Sequence, residues 1–180
     1  MRVIAGRFRS RKLKSVPGMD VRPTPDRLRE ALFNTLAPRI PGTVFLDAYA
    51  GSGAVGIEAL SRGAKRVILI ERKAAAIAVI RDNLASLAIA QEVTVVRGRA
   101  AIFLPNYSAD IAFIDPPYEQ ANEYAGALLA LSGTECGLVI AQHASRMSLE
   151  ESYEQLVKTR VLKQGDNSLS FYERIQDSTF

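Results

Sequence analysis

The 180-residue sequence has one cysteine and one histidine. A single thiol, Cys136, can neither close an intramolecular disulfide nor build a cysteine-rich zinc site, which points to a reducing compartment. His143 has no Cys or acidic metal pattern near it, so no metal is expected and the ring reads as structural. No uninterrupted apolar run reaches the roughly 18 residues that a membrane span needs. No apolar core follows the basic start, as a secretory signal would require, and Val3-Ile4-Ala5 with Arg7-Phe8-Arg9 reads as short strands rather than as an amphipathic transit helix. Internal repeats and low-complexity tracts are also missing. With 48% hydrophobic and 23% charged residues, the composition is that of a globular protein, expected to be cytoplasmic and monomeric.

Acid is scarce in one place. The first fifteen residues carry Arg2, Arg7, Arg9, Arg11, Lys12 and Lys14 and no Asp or Glu. Residues 1–39 hold ten Lys/Arg against three Asp/Glu, a balance of +7, whereas residues 40–180 hold thirteen against sixteen, a balance of −3. The net charge of +4 is therefore a strongly basic front end on a slightly acidic body. A polyanion-binding face explains this better than an idle solvated surface.

The organisation divides at about residue 41. Residues 1–41 read as a basic N-terminal extension of short strands plus a helix. Thr24 is the expected N-cap, Pro25 the first helical position and Asp26 the first-turn acid, and Leu28, Leu32 and Leu36 form the apolar stripe. Residues 42–180 alternate strand and helix: strands at 44–46, 66–71, 93–96, 110–114 and 138–141, and helices at 55–62, through Ile77, Ile80, Leu84 and Leu87, and at 123–131. A helical piece around Leu149–Leu156 and a hairpin, Val157–Leu162 with Leu169–Tyr172, complete the pattern. Alternation of this kind implies an α/β domain with a parallel sheet covered on both faces and an antiparallel edge from the hairpin.

Two segments carry chemistry. Gly51, Gly53 and Gly56 match G-x-G-x-x-G between a strand and a helix, and Glu71 ends the next strand, where a carboxylate can bind ribose hydroxyls. Read literally, this is a dinucleotide fingerprint and would suit an NAD-dependent oxidoreductase. Asp47 argues otherwise, because a carboxylate beside the turn repels pyrophosphate and attracts a cation, and S-adenosylmethionine carries a sulfonium and an ammonium. The second segment is Asp115-Pro116-Pro117-Tyr118. Two prolines remove two N–H donors, so the Asp115 side chain and the Pro116 carbonyl can accept both hydrogens of an exocyclic amine while Tyr118 stacks on its ring. Acceptors aimed at the nitrogen stabilise the positive charge that develops there as it takes up a methyl group.

Asp47, Gly51-Ser52-Gly53, Glu71 and Asp-Pro-Pro-Tyr resemble class I methyltransferases that modify base amines. Arg2-Val3-Ile4-Ala5-Gly6, Arg9-Ser10-Arg11-Lys12-Leu13, Arg22-Pro23-Thr24, Arg29-Glu30-Ala31-Leu32-Phe33-Asn34 and Ser168-Leu169-Ser170-Phe171-Tyr172-Glu173 extend the resemblance over nearly the whole chain, to the bacterial 16S rRNA guanine-N2 methyltransferase family (the RsmD type). The Asp-Pro-Pro-Tyr tetrapeptide alone does not separate guanine-N2 from adenine-N6 enzymes; the N-terminal blocks do. The resemblance implies a Rossmann-like fold with a mixed seven-stranded sheet and an antiparallel last strand. It also implies methylation of one guanine in small-subunit rRNA, within an assembling or assembled subunit. By matched position, Asp47 and the loop Ala50, Gly51, Ser52 and Gly53 hold the methionine part of the cofactor, Glu71 holds the ribose, and Tyr49 and Arg72 are further cofactor-binding residues. Arg22, Pro23 and Thr24 close over the site, and Gly98, Arg99 and Ala100 face the adenine. The last three depart from the acidic or polar residue usual there, so adenine recognition is expected to rest on backbone groups. Arg2, Arg7, Arg9, Arg11 and Lys12 are the expected RNA contacts. A non-catalytic RNA-binding module that kept the fold is the remaining alternative.

Overall fold

Phe45 and Leu46 are adjacent in sequence, both fully buried, and belong to two different apolar clusters on opposite faces of one sheet. The same alternation continues through Val67, Ile68, Leu69 and Ile70, as a strand covered on both sides requires. The computed structural model describes residues 1–18, 26–117 and 120–175. Five parallel strands, β1 (Val44–Asp47), β2 (Arg66–Glu71), β3 (Val93–Arg97), β4 (Ile111–Ile114) and β5 (Leu138–Ala144), are followed by β6 (Ser152–Tyr153), β7 (Leu156–Gln164) and β8 (Asn167–Arg174). Their spatial order is β3-β2-β1-β4-β5-β8-β7-β6. β8 runs antiparallel to both β5 and β7, so β7 is parallel to the first five.

Helices α1 (Asp26–Leu36), α2 (Ala54–Ser61) and α3 (Ala74–Leu87) cover one face, where Leu32, Phe33, Ile57, Ile80 and Leu84 meet Phe45, Leu69, Phe113 and Phe171. Helices α4 (Ala100–Phe103) and α5 (Ala121–Ser132) cover the other, where Tyr124, Leu128 and Leu131 meet Ile70, Ile114, Val139 and Tyr172. Among the described residues no helix is long and apolar enough to cross a membrane.

The expected architecture is present, with three corrections. The sheet has eight strands rather than seven, because the two-residue β6 pairs with the start of β7. Second, the segment expected to be helical around Leu149–Leu156 is a loop that turns into that short hairpin. Leu149, Tyr153 and Leu156 are spaced as a helical stripe, yet the hairpin buries all three in one cluster, with Tyr153 edge-on to Tyr172 at 5.6 Å and Glu154 at φ 50°. Third, the N-terminal segment forms no strands among its described residues; residues 1–14 make an irregular hairpin with one bridge, Arg2 to Lys12.

That hairpin is fastened to α2 and α3 by buried polar groups. Glu58, fully buried, accepts the N–H groups of Ile4 at 2.8 Å and Ala5 at 3.0 Å, and Arg62 Nε at 2.7 Å. The Ser61 hydroxyl accepts Phe8 N–H at 2.9 Å and donates to the Ala5 carbonyl at 2.6 Å. Asn83 accepts Lys14 N–H at 2.8 Å and donates to the carbonyls of Lys14 and Ser52. A Cβ on Gly6 would stand 1.9 Å from the Ser61 carbonyl oxygen, so only glycine permits this approach. Val3 and Leu13 are buried in the same cluster as α1, so the extension shares the domain's core.

Candidate active site at the strand-order switch

In a doubly wound sheet, ligands bind beyond the carboxyl ends of the strands where the order reverses. Here that point lies between β1 and β4, which pair Asp47 with Phe113. A cavity of about 210 Å³ opens there. It is lined from β1 and its turn by Asp47 to Ser52, from β2 by Ile70 to Lys73, and beyond β4 by Asp115, Pro116 and Pro117.

Asp47 ends β1 and is 2% exposed. Its Oδ1 has no hydrogen-bond partner. Burial, and then the nearby Asp115 charge, push its carboxyl up to about 7, against the pull of the Tyr49 and Gly56 N–H groups.

The turn after Asp47 is built by glycines. Gly51 (φ 54°) and Gly53 (φ 81°) both take the left-handed region, and Gly53 caps α2. A Cβ on Gly56 would lie 2.4 Å from Leu69 Cδ2, so that glycine lets α2 lie close against β2. Glu71 clamps the turn from β2: its Oε2 accepts Gly51 N–H at 2.9 Å and its Oε1 accepts Lys73 N–H at 2.8 Å. Each oxygen keeps a lone pair for a further donor. Tyr49 donates to Glu123 of α5 at 3.1 Å, and Arg99 lies 3.6 Å from the same carboxylate. Desolvation, followed by the Glu123 charge, drives the Tyr49 hydroxyl's pKa upward.

Gly98 lines the cavity and also has a structural task. Its N–H donates to the Glu71 carbonyl at 3.0 Å, and a Cβ there would sit 2.0 Å from the Phe103 ring. The residue extends the β2–β3 ladder and admits Phe103, so its N–H is not free for an adenine. Arg99 and Ala100 line the cavity beside it.

Beyond β4, Asp115 is half-buried, Pro116 buried and Pro117 exposed. Tyr118 lies outside the described residues, as do Arg22, Pro23, Thr24 and Pro25. On the basic front end, Arg7 is paired with Glu92 at 2.8 Å and stacked on Phe8, and Arg11 donates to the Ser86 carbonyl at 2.8 Å. Arg2, Arg9 and Lys12 are exposed, and among the described residues no hydrogen bond or ion pair holds their side chains. Among the described residues, the sequence-predicted set thus separates into Asp47, the glycine turn, Glu71, Arg72, Gly98 to Ala100 and Asp115 to Pro117, which border one cavity, and a basic hairpin fastened to α2 and α3.

Of the lining residues that the sequence reading did not place here, which include Glu123, His143 and Asn167, two stand out by their burial with unpartnered polar atoms. Arg29 is 0% exposed and Gln142 is 7% exposed. Arg29 Nε, Arg29 Nη1, Asp47 Oδ1 and Gln142 Oε1 are the only buried side-chain polar atoms without a partner among the described residues, and all belong to residues that line this cavity. Their signal was present: Arg29 falls on the apolar stripe of α1 with Leu32, Phe33 and Leu36, and Gln142 continues the buried run of β5.

The chain is similar to known proteins. The family model described as "Conserved hypothetical protein 95" matches residues 1–173. A Bacillus subtilis protein named "Putative rRNA methyltransferase YlbH" is 35% identical over 184 residues, covering 97% of this chain and 99% of that one. The Escherichia coli "Ribosomal RNA small subunit methyltransferase D" is 44% identical over 122 residues, covering 67% of this chain and 61% of that one. Among solved structures, "Putative methyltransferase yhhF" from Escherichia coli superposes with a TM-score of 0.83 at 35% identity, covering 97% of both chains. The chain belongs to this family, the one that includes ribosomal RNA small subunit methyltransferase D.

Proposed function

We propose that this protein transfers a methyl group from S-adenosylmethionine to the exocyclic N2 amine of a guanine in small-subunit rRNA. The observation that carries the reading is the buried, partnerless Asp47 oxygen at the foot of a glycine turn, facing the same cavity as Asp115-Pro116-Pro117. The names of the relatives support rRNA as the substrate.

The residues fit the cofactor. Asp47 offers an acceptor to a cation, the Ala50–Gly53 turn leaves room beside it, and Glu71 retains lone pairs for ribose hydroxyls. S-adenosylmethionine, bound there, supplies an electrophilic methyl group on its sulfonium. Asp115 and the Pro116 carbonyl accept the two hydrogens of the base amine and stabilise the positive charge it gains. Its surplus proton leaves after transfer, so no strong base is needed beforehand. Pro116 and Pro117 have no N–H to compete for these acceptors. The base must leave its stack to reach Asp115, at a cost of a few kcal/mol. Phosphate contacts along Arg2, Arg9 and Lys12 offset that cost. Arg7 and Arg11 hold the hairpin in place, and their exposed pairings are weak enough to exchange for phosphate.

Incubation with methyl-labelled cofactor and either unmodified small-subunit particles or duplex DNA tests the reading. Label in the rRNA is the expected result; label only in DNA would overturn it in favour of an adenine-N6 enzyme.

A further inference from the structure

Arg29 is the largest fully buried side chain among the described residues, and only one of its three nitrogens is used. Nη2 donates to the Arg2 carbonyl at 2.7 Å and to Asp26 Oδ1 at 2.9 Å. Nε and Nη1 have no partner among the described residues. The other acid whose charge acts on Arg29, Glu58, is committed to Ile4, Ala5 and Arg62. Asp26 is 66% exposed, so solvent weakens its compensation of the charge. Leaving guanidinium N–H groups dry and unpaired in the interior is costly, and a structural arginine avoids it by bonding all of them. The cavity that Arg29 borders is where an acceptor can enter.

The same cavity presents an orphaned acceptor, Asp47 Oδ1. An uncommitted cation and an uncommitted carboxyl oxygen bordering one cavity match a zwitterion, which carries ammonium and carboxylate on one carbon. An RNA phosphate carries only the negative charge and would leave Asp47 Oδ1 unmet. We infer that the free N–H groups of Arg29 form a carboxylate-binding subsite for the amino-acid end of the cofactor, opposite Asp47. This rests on the proposed cofactor, and it assigns to α1 a part of the site outside the glycine turn and the Asp-Pro-Pro-Tyr loop.

Calorimetry on the full chain tests it with three ligands: S-adenosylhomocysteine, its decarboxylated analogue S-adenosyl-3-thiopropylamine, and 5′-methylthioadenosine, which lacks the whole amino-acid end. The wild-type protein is expected to bind S-adenosylhomocysteine about 10- to 100-fold more tightly than the decarboxylated analogue, the range for one or two charge-assisted hydrogen bonds. Arg29→Met is expected to erase that preference and to leave 5′-methylthioadenosine affinity within about twofold, as for a contact the ligand lacks. Equal wild-type affinity for S-adenosylhomocysteine and its decarboxylated analogue overturns the subsite without requiring any variant to fold. So does an Arg29→Met protein that keeps the preference or weakens all three ligands alike. Failure of the wild type to bind any of the three overturns the cofactor reading itself, a result distinct from loss of the subsite alone.

Discussion

Asp47 and Asp115 stand at the ends of neighbouring parallel strands and face one cavity, and the charge of Asp115 helps hold the Asp47 carboxyl near 7. Two acids so placed repel each other until a cation comes between them. The arrangement is unfavourable when empty and favourable when filled, as expected of a site for a positively charged ligand and a positively charged transition state.

The first prediction concerns pH. In the folded, empty protein Asp47 keeps its proton up to about 7, while in the unfolded chain it releases it near the usual carboxylate value. Between about pH 4 and pH 7 the folded state therefore binds the extra proton, and stability falls as pH rises through that window. Asp47→Asn should raise the stability of the empty protein at pH 8 by roughly 2–4 kcal/mol, measured by chemical denaturation. The same variant should lose cofactor affinity.

Ligand affinity should run the opposite way. A cationic ligand prefers ionised Asp47, so S-adenosylmethionine affinity should weaken by about tenfold per unit as pH drops below 7. Asp115→Asn removes the second cause of the raised value, so the midpoint of that profile should move down. Methyl transfer by the same variant should fall by about 10²–10³, the loss typical of one preorganised stabiliser. Calorimetry and single-turnover transfer read the two effects separately.

Glu71→Ala leaves the N–H groups of Gly51 and Lys73 without their acceptor. About 1–3 kcal/mol of stability should be lost, together with cofactor affinity. Glu71→Gln keeps one acceptor oxygen and should lose less of both. A variant series measured by denaturation and cofactor titration distinguishes the clamp from a purely electrostatic role.

Gly56→Ala places a methyl group 2.4 Å from Leu69 Cδ2 and 2.8 Å from Val67 Cγ1, both packed in the core. The expected cost is about 1–3 kcal/mol, visible as a lower Tm. The second and third glycines of the motif thus differ in role: Gly53 supplies a left-handed cap, and Gly56 supplies space between α2 and β2.

Arg9→Glu with Lys12→Glu should weaken RNA binding and lower the slope of log affinity against log salt by about two, while cofactor affinity stays unchanged. Arg7→Ala instead removes a fastening to Glu92 and should chiefly loosen the hairpin from the body.

How much of this was legible in the sequence depends on the range of the forces involved. The strands and long helices of residues 42–144 follow from local apolar periodicity, and β2 begins and ends where its pattern does. Asp47, Glu71 and Asp115 were legible because strand ends in such a sheet converge on one edge. The N-terminal segment misled, because its alternation reflects bonds to Glu58, Ser61 and Asn83, fifty or more residues away, rather than a strand partner. The Leu149–Leu156 stripe misled because a short hairpin can bury residues at helical spacing. Arg29 and Gln142 needed three dimensions: a polar residue in an apolar pattern reads as noise until its unpaired atoms are seen to border a cavity.

The most direct test is nucleoside mapping by mass spectrometry after reaction of the purified protein with S-adenosylmethionine and unmodified small-subunit particles. One N2-methylguanosine at a single position in the small-subunit rRNA, lost in the Asp115→Ala protein, is the predicted result. N6-methyladenosine in its place, or N2-methylguanosine formed equally well by Asp115→Ala, would contradict the account.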